Sequence, residues 1–193
     1  MAHKTTYTVP HRRKREGRTN YRKRLSLLKS RKPRLIVRKS LRHIMLQIIE
    51  YTPTGDKVVL QANSKELSPM GWTVSNGNIP EAYLTGLLLA KKAKTAKFSG
   101  EVIVDIGLSP SVHGSRLYAA IKGAVDGELT VLCGDDIAPP EDRLKGMHIV
   151  AYAKSLVEDK EKYNKIFSRY LKANIDPTRL NELVENVKAN IVK

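Results

Sequence analysis

A chain of 193 residues, 41% of them hydrophobic, is long enough to bury a core, and a formal charge of +16 calls for a polyanionic partner, nucleic acid or anionic lipid. No apolar run approaches the roughly 18 residues of a membrane-spanning helix, and the chain opens on charge rather than on an apolar signal region, so a soluble, unsecreted protein is expected. Cys133 is the one cysteine, which excludes an intramolecular disulfide and a cysteine-rich zinc site and predicts a small buried thiol.

The charge sits at one end. Residues 1–39 hold 15 Lys and Arg against Glu16, whereas the other 154 residues hold 20 basic against 18 acidic side chains. In the densest stretch, 11–18, self-repulsion and scarce apolar residues predict disorder until a partner binds. After Gly17, Thr19 is the expected N-cap of a short basic amphipathic helix. Tyr21, Leu25 and Leu28 recur on one face of it, and Arg22, Lys23, Arg24 and Lys29 occupy the others. Guanidinium groups match phosphate oxygens in a planar fork, and Tyr21 is placed to stack on a base. A solvated tail or a targeting signal is the bland alternative. Against it, the cations run without a flexible linker into a strand flanked by Arg34, Arg38 and Lys39, as in a binding surface.

Beyond Pro33, residues 34–39 read as a strand and 43–51 as a second, with Ile44, Leu46 and Ile48 alternating; a turn at 52–56 returns the chain as a third strand at 57–62. An antiparallel meander follows. Pro80 suits a helix start, and Tyr83, Leu84, Leu87, Leu88 and Ala90 carry an apolar face to about residue 97. Val102, Ile103 and Val104 predict a short strand buried on both faces, and Leu117, Ile121, Ala124 and Val125 a second helix. Residues 149–171 keep Leu156, Tyr163, Ile166, Phe167 and Tyr170 at helical spacing. Asp176 and Pro177 then cap a last helix bearing Leu180, Leu183, Val184, Val187 and Ile191. The expected organisation is a basic arm over 1–33, an α/β core over 34–148 and a C-terminal helical extension over 149–193, which either packs back or clasps another macromolecule.

Five ordered blocks carry a resemblance: residues 18–25 (RTNYRKRL), 32–40 (KPRLIVRKS), 82–88 (AYLTGLL), 105–108 (DIGL) and 114–116 (GSR). Together they resemble the archaeal and eukaryotic form of the 5S-rRNA-binding protein family of the large ribosomal subunit, eighteenth in universal naming, from about residue 12 to 149. The resemblance implies a structural, non-enzymatic protein of the cytoplasm, resident in the large subunit. There it would bind 5S rRNA, help attach it to large-subunit rRNA in the central protuberance, and neighbour another 5S-binding ribosomal protein. It implies a ribonuclease-H-like core of three antiparallel strands, helix, strand and helix, with the C-terminal helices as the archaeal or eukaryotic extension. No cofactor and no small-molecule substrate is implied. A 5S rRNA assembly chaperone or a general basic RNA-binding protein is the alternative.

Carried onto this chain, the resemblance makes Arg12, Arg13, Arg15, Arg18, Tyr21, Arg22, Arg24, Arg34, Arg38, Lys39 and His43 the RNA surface. The cations are assigned to phosphates, Tyr21 and His43 to stacking or base edges. Lys14, Thr19, Arg31 and Arg42 in the same stretch join the candidates. So does Arg116, at a helix N-terminus able to accept one phosphate, although Ser115 as N-cap and Arg116 in a structural salt bridge would explain those residues equally well.

Sharper chemistries find little support. A metal-dependent nuclease on such a sheet needs a carboxylate on the first strand, where residues 34–39 carry none; Asp105 reads as a loop cap. Asp135, Asp136, Glu141 and Asp142 flank Pro139 and Pro140 in an expected surface loop without ligand spacing. His3, His11, His43, His113 and His148 have no zinc-helix spacing, and no nucleophile elbow is present. Gly107 and Gly114 are not followed by the Lys-Ser or Lys-Thr of a phosphate-cradling loop. The thin stripe of Tyr21, Leu25 and Leu28 suits a membrane surface poorly, and strand-first order does not fit helix-turn-helix DNA binding.

Overall fold

The computed structural model describes residues 8–74 and 77–192; His3 lies outside the described residues. The basic run opens with one helical turn, α1 (Arg12–Arg15), and continues into α2 (Tyr21–Leu28). Within the 11–18 stretch the chain thus takes up a helical turn, and the causes are local. The His11 carbonyl accepts from the Lys14 and Arg15 amides at 2.9 and 3.1 Å, and Glu16 pairs with Arg12 at 3.8 Å and Arg18 at 3.2 Å. The His11 ring centre lies 5.2 Å from that of Tyr21. Asn20, not Thr19, caps α2, accepting from the Lys23 amide at 3.1 Å, while Thr19 Oγ1 accepts from Arg13 Nε at 2.9 Å.

The strands β1 (Arg34–Lys39), β2 (Ile44–Thr52) and β3 (Gly55–Asn63) form the expected antiparallel meander, with Leu35 opposite Ile48 and Ile48 opposite Leu60. Alternation sends Leu35, Val37, Ile44, Leu46 and Ile48 into the core. A 3₁₀ segment, Ser64–Met70, opened by a capping box between Asn63 and Glu66, leads toward α3 (Ile79–Thr95). Asn78 starts α3 by accepting from the Glu81 amide at 2.9 Å. Residues 80–90 of this helix are all buried, as befits a helix that is covered on every side.

The chain then adds β4 (Val102–Asp105), parallel to β1 with Leu35 opposite Val104, and α4 (Arg116–Asp126). β4 is buried at its two ends and only half-buried at Ile103 and Val104, and Val125 of α4 is exposed. A fifth strand not expected from the sequence, β5 (Val131–Leu132), pairs parallel to β4; at two residues it is too short for periodicity to reveal. Among the described residues the sheet runs β3-β2-β1-β4-β5. Cys133, just beyond it, is half-buried against the core rather than fully buried.

Helices α3 and α4 cross backbone to backbone. A Cβ placed on Gly86 would collide with the Ala120 carbonyl oxygen, and one on Gly123 with the Tyr83 carbonyl oxygen. Only glycine permits so close an approach.

The C-terminal part is more broken than its apolar spacing suggests. After α5 (Glu141–Leu144), the stretch expected as one helix divides into α6 (Met147–Ser155), α7 (Lys160–Ile166) and α8 (Ser168–Lys172). Asp159 begins a new helix by accepting from the Lys162 amide at 3.2 Å, and Ile166 is left exposed. Asp176 caps a 3₁₀ turn, Pro177–Arg179, that runs into α9 (Leu180–Val192). Leu180, Val184, Val187 and Ile191 bury themselves in the same core cluster as α3, so α9 packs back. Each such side chain contributes about 1.5–3 kcal/mol.

Candidate nucleic-acid interface

Arg34, Ile36 and Arg38 share the face of β1 opposite the core, and α2 lies over that face. Between α2, β1 and the loop after β4 lies a groove of about 800 Å³. It collects seven of the residues that the sequence nominated: Arg13, Arg18, Thr19, Tyr21, Arg24, Arg34 and Arg38. Asp56, from the β2–β3 hairpin, and Asp105, from the end of β4, supply its carboxylates.

Three arginines and two aspartates form one network on its floor. Arg24 donates both terminal nitrogens to Asp56, at 2.9 and 2.8 Å, in the bidentate geometry that makes such pairs strong. Arg34 Nη2 lies 2.9 Å from the same carboxylate, off-line enough that the contact is ionic, and its Nη1 donates to Asp105 Oδ2 at 3.2 Å. Arg38 donates to Asp105 Oδ1 at 3.2 Å and to the Asp105 and Val37 carbonyls at 2.7 and 2.9 Å. Asp105 Oδ1 also accepts from the Gly107 amide at 2.8 Å, so it caps its loop as expected and holds two guanidinium groups besides. Gly107 has φ near +64°, and a side chain there would strike the Arg38 guanidinium.

Burial pushes the Asp56 carboxyl up, but the contacts from Arg24 and Arg34 outweigh it and hold it below the ordinary aspartate range. Its hydrogen bond to Arg24 raises that guanidinium correspondingly.

These contacts divide the candidate set by exposure. Arg34 is 1% exposed and paired with two carboxylates, so in this structure it faces the groove floor rather than solvent. Arg24 pairs with Asp56 while part of its side chain stays exposed, and Arg38, 40% exposed, keeps one edge open. On α2 the half-buried positions are Tyr21, Arg24, Leu27 and Leu28, while Leu25 is exposed; the expected stripe is rotated by one position.

Arg12, Arg13, Lys14, Arg15, Arg18, Arg22, Arg31, Lys39 and Arg42 are exposed, as a phosphate-binding surface requires. A second cluster lies apart from the groove, where the 41–42 backbone and Arg116 meet around Gly77. Arg116 donates to the Gly77 carbonyl and forms no salt bridge among the described residues, and Ser115 occupies the N-cap position without a side-chain capping bond. His43 Nδ1 is 3.1 Å from Ser64 Oγ, which fixes its ring at the start of β2.

Sequence reasoning placed Lys23 on the basic helix without nominating it for the site, where it reaches across the groove to the Gly107 carbonyl at 3.3 Å, and it missed Leu108 and Ser109 on the far wall. Lys23 was legible as a cation one residue from Arg24; the loop residues carried no signal. Among the described residues, no group of three or more His, Cys, Asp or Glu could hold a metal ion, and no helix is long and apolar enough to cross a membrane.

The family described as "Ribosomal large subunit proteins 60S L5, and 50S L18" matches residues 5–102, just over half the chain. The match spans the arm, α2, the meander and α3, ending at the first residue of β4. The chain belongs to this family: it is an rRNA-associated protein of the large ribosomal subunit in the cytoplasm.

Proposed function

We propose that this large-subunit protein binds 5S rRNA and helps attach it to the large-subunit rRNA in the central protuberance, beside another 5S-binding ribosomal protein, as a scaffold rather than an enzyme. The observation that carries this reading is the row of exposed cations along α1, α2 and the β1–β2 turn, displayed on an ordered platform. Phosphate contacts fall to Arg12, Arg13, Lys14, Arg15, Arg18, Arg22, Arg31, Lys39 and Arg42, with Arg38 at the groove edge. Tyr21, half-buried, and His43 present rings for stacking or base edges, and Thr19 a polar group at the groove lip. Arg116 is engaged by the Gly77 carbonyl and is a weaker candidate.

The strand order β3-β2-β1-β4-β5, with β1 and β4 parallel, supports a ribonuclease-H-like core over 34–148, flanked by the arm over 1–33 and the helical extension over 149–193. A scaffold role is further supported by Asp105, whose carboxylate is occupied by Arg34 and Arg38 where a nuclease of this architecture would hold a divalent cation.

A filter-binding titration against 5S rRNA, tRNA and duplex DNA, repeated over a salt series, tests the reading. A marked preference for 5S rRNA with steep salt dependence is expected. Equal, weak binding to all three would leave only a generic polycation and sink it.

A further inference from the structure

No side chain of α2 is fully buried, and the half-burial of Tyr21, Leu27 and Leu28 is a weak apolar contact on which to fix its place on the sheet. Two polar ties hold it. Arg24 grips Asp56 at 2.9 and 2.8 Å, and Lys23 reaches the Gly107 carbonyl at 3.3 Å. Asp56 is itself steadied by the buried Arg34, so the tie ends on a fixed point of β1. The arrangement is odd for a surface meant for phosphates. On Coulomb grounds a carboxylate beneath the basic helix opposes RNA, and a helix free to detach would meet phosphates equally well. The advantage is conformational: a detached α2 would have to be ordered as RNA binds, which lowers affinity, whereas a docked one is already in place.

We propose that Asp56 is a positioning residue that latches α2 to the sheet through Arg24, arraying the exposed cations Arg18 and Arg22 before RNA arrives. The inference rests on the RNA-binding reading above. It makes the binding surface preformed, and it gives an acidic side chain an essential part in a polycationic interface.

Two substitutions separate geometry from charge. Asp56→Asn raises the net charge by one and removes no cation; Arg24→Gln lowers it by one and leaves the Arg34–Asp56 pair in place. If α2 is latched, both lose amide-exchange protection over residues 21–28 in the free protein, and both weaken 5S rRNA binding on the order of tenfold despite opposite changes in charge. Asp56→Glu, which keeps the charge, should recover much of the loss. Fluorescence of Trp72, buried in the core, verifies that each variant stays folded. Arg24→Gln keeps the question open to test should Asp56→Asn fail to fold.

The latch is overturned if Asp56→Asn binds 5S rRNA as tightly as the parent or more tightly, or if protection over 21–28 is unchanged in both variants. Exchange in the free protein involves no RNA. Failure of the RNA-binding reading would therefore show separately, as a parent protein without preference for 5S rRNA.

Discussion

Two helices near opposite ends of the chain dock on the same body by opposite means. Helix α9 inserts Leu180, Val184, Val187 and Ile191 into the core, whereas α2 buries no side chain fully and is tied by Arg24 to Asp56 and by Lys23 to a carbonyl. An apolar dock is insensitive to salt and becomes part of the fold. A polar dock of half-exposed groups is worth less and depends on ionic conditions, yet it leaves cations on the outer side of the helix free for a polyanion. The contrast explains how one chain carries a stable body and a surface of high charge density.

The largest expected effect is on the apolar dock. Leu180→Ala should cost about 2–5 kcal/mol, and equally at low and high salt, in urea unfolding followed by Trp72 fluorescence. A loss that varied with salt would break the comparison. Next is the floor of the groove: Asp105→Asn leaves the buried Arg34 with Asp56 alone and should cost about 1.5–3 kcal/mol by the same assay.

Acid should then separate the two docks. Because the Asp56 carboxyl is held below its ordinary value, near about 3.9 in unfolded chains, its pairing stabilises fully above that pH and is lost as pH falls through the depressed folded value. Amide exchange over 21–28 should rise in that window while the α9 amides remain protected; simultaneous loss of both would argue against separate docks. The smallest effect on stability, within about 0.5 kcal/mol, is expected for the triple replacement of Arg12, Arg18 and Arg22 by Ala. The same variant should flatten the salt dependence of 5S rRNA binding by up to about 0.7–0.9 in log-log slope per lost phosphate contact. An unchanged slope would place the RNA elsewhere.

How legible these features were in the sequence follows from how far apart their causes lie. The meander could be read because alternation is local: Ile44, Leu46 and Ile48 announce one buried face of β2 without reference to any other segment. Helix α3 was similarly legible through Pro80 and its dense apolar content. The break between α6 and α7 was not, because Leu156 and Tyr163 keep helical spacing across it while the Asp159 cap restarts the helix. Nor could β5 announce itself in two residues.

The fate of Arg34 shows the limit most clearly. As a cation in a cationic stretch it looked like a phosphate ligand, but its carboxylate partners come from the β2–β3 hairpin and from the end of β4, 71 residues away. A partial clue was present, since Ile36 lies between Arg34 and Arg38 on the same strand face and marks that face as covered. Charge could be counted along the chain; its neutralisation depended on the fold.

The glycine crossing of α3 and α4 bears on this surface although it lies on the opposite side of the sheet. Where side chains separate two helices, a substitution is absorbed by a change of rotamer; at Gly86 and Gly123 main chain meets main chain, and there is nothing to rotate. The spacing of that layer is therefore a fixed gauge, and β1 rests on it. The outer skin of the molecule can trade one cation for another with modest consequence. An added methyl group at either glycine would instead shift the foundation on which Arg34, Asp56 and hence α2 are aligned, so two residues with no side chain and no contact with the groove bear on its geometry.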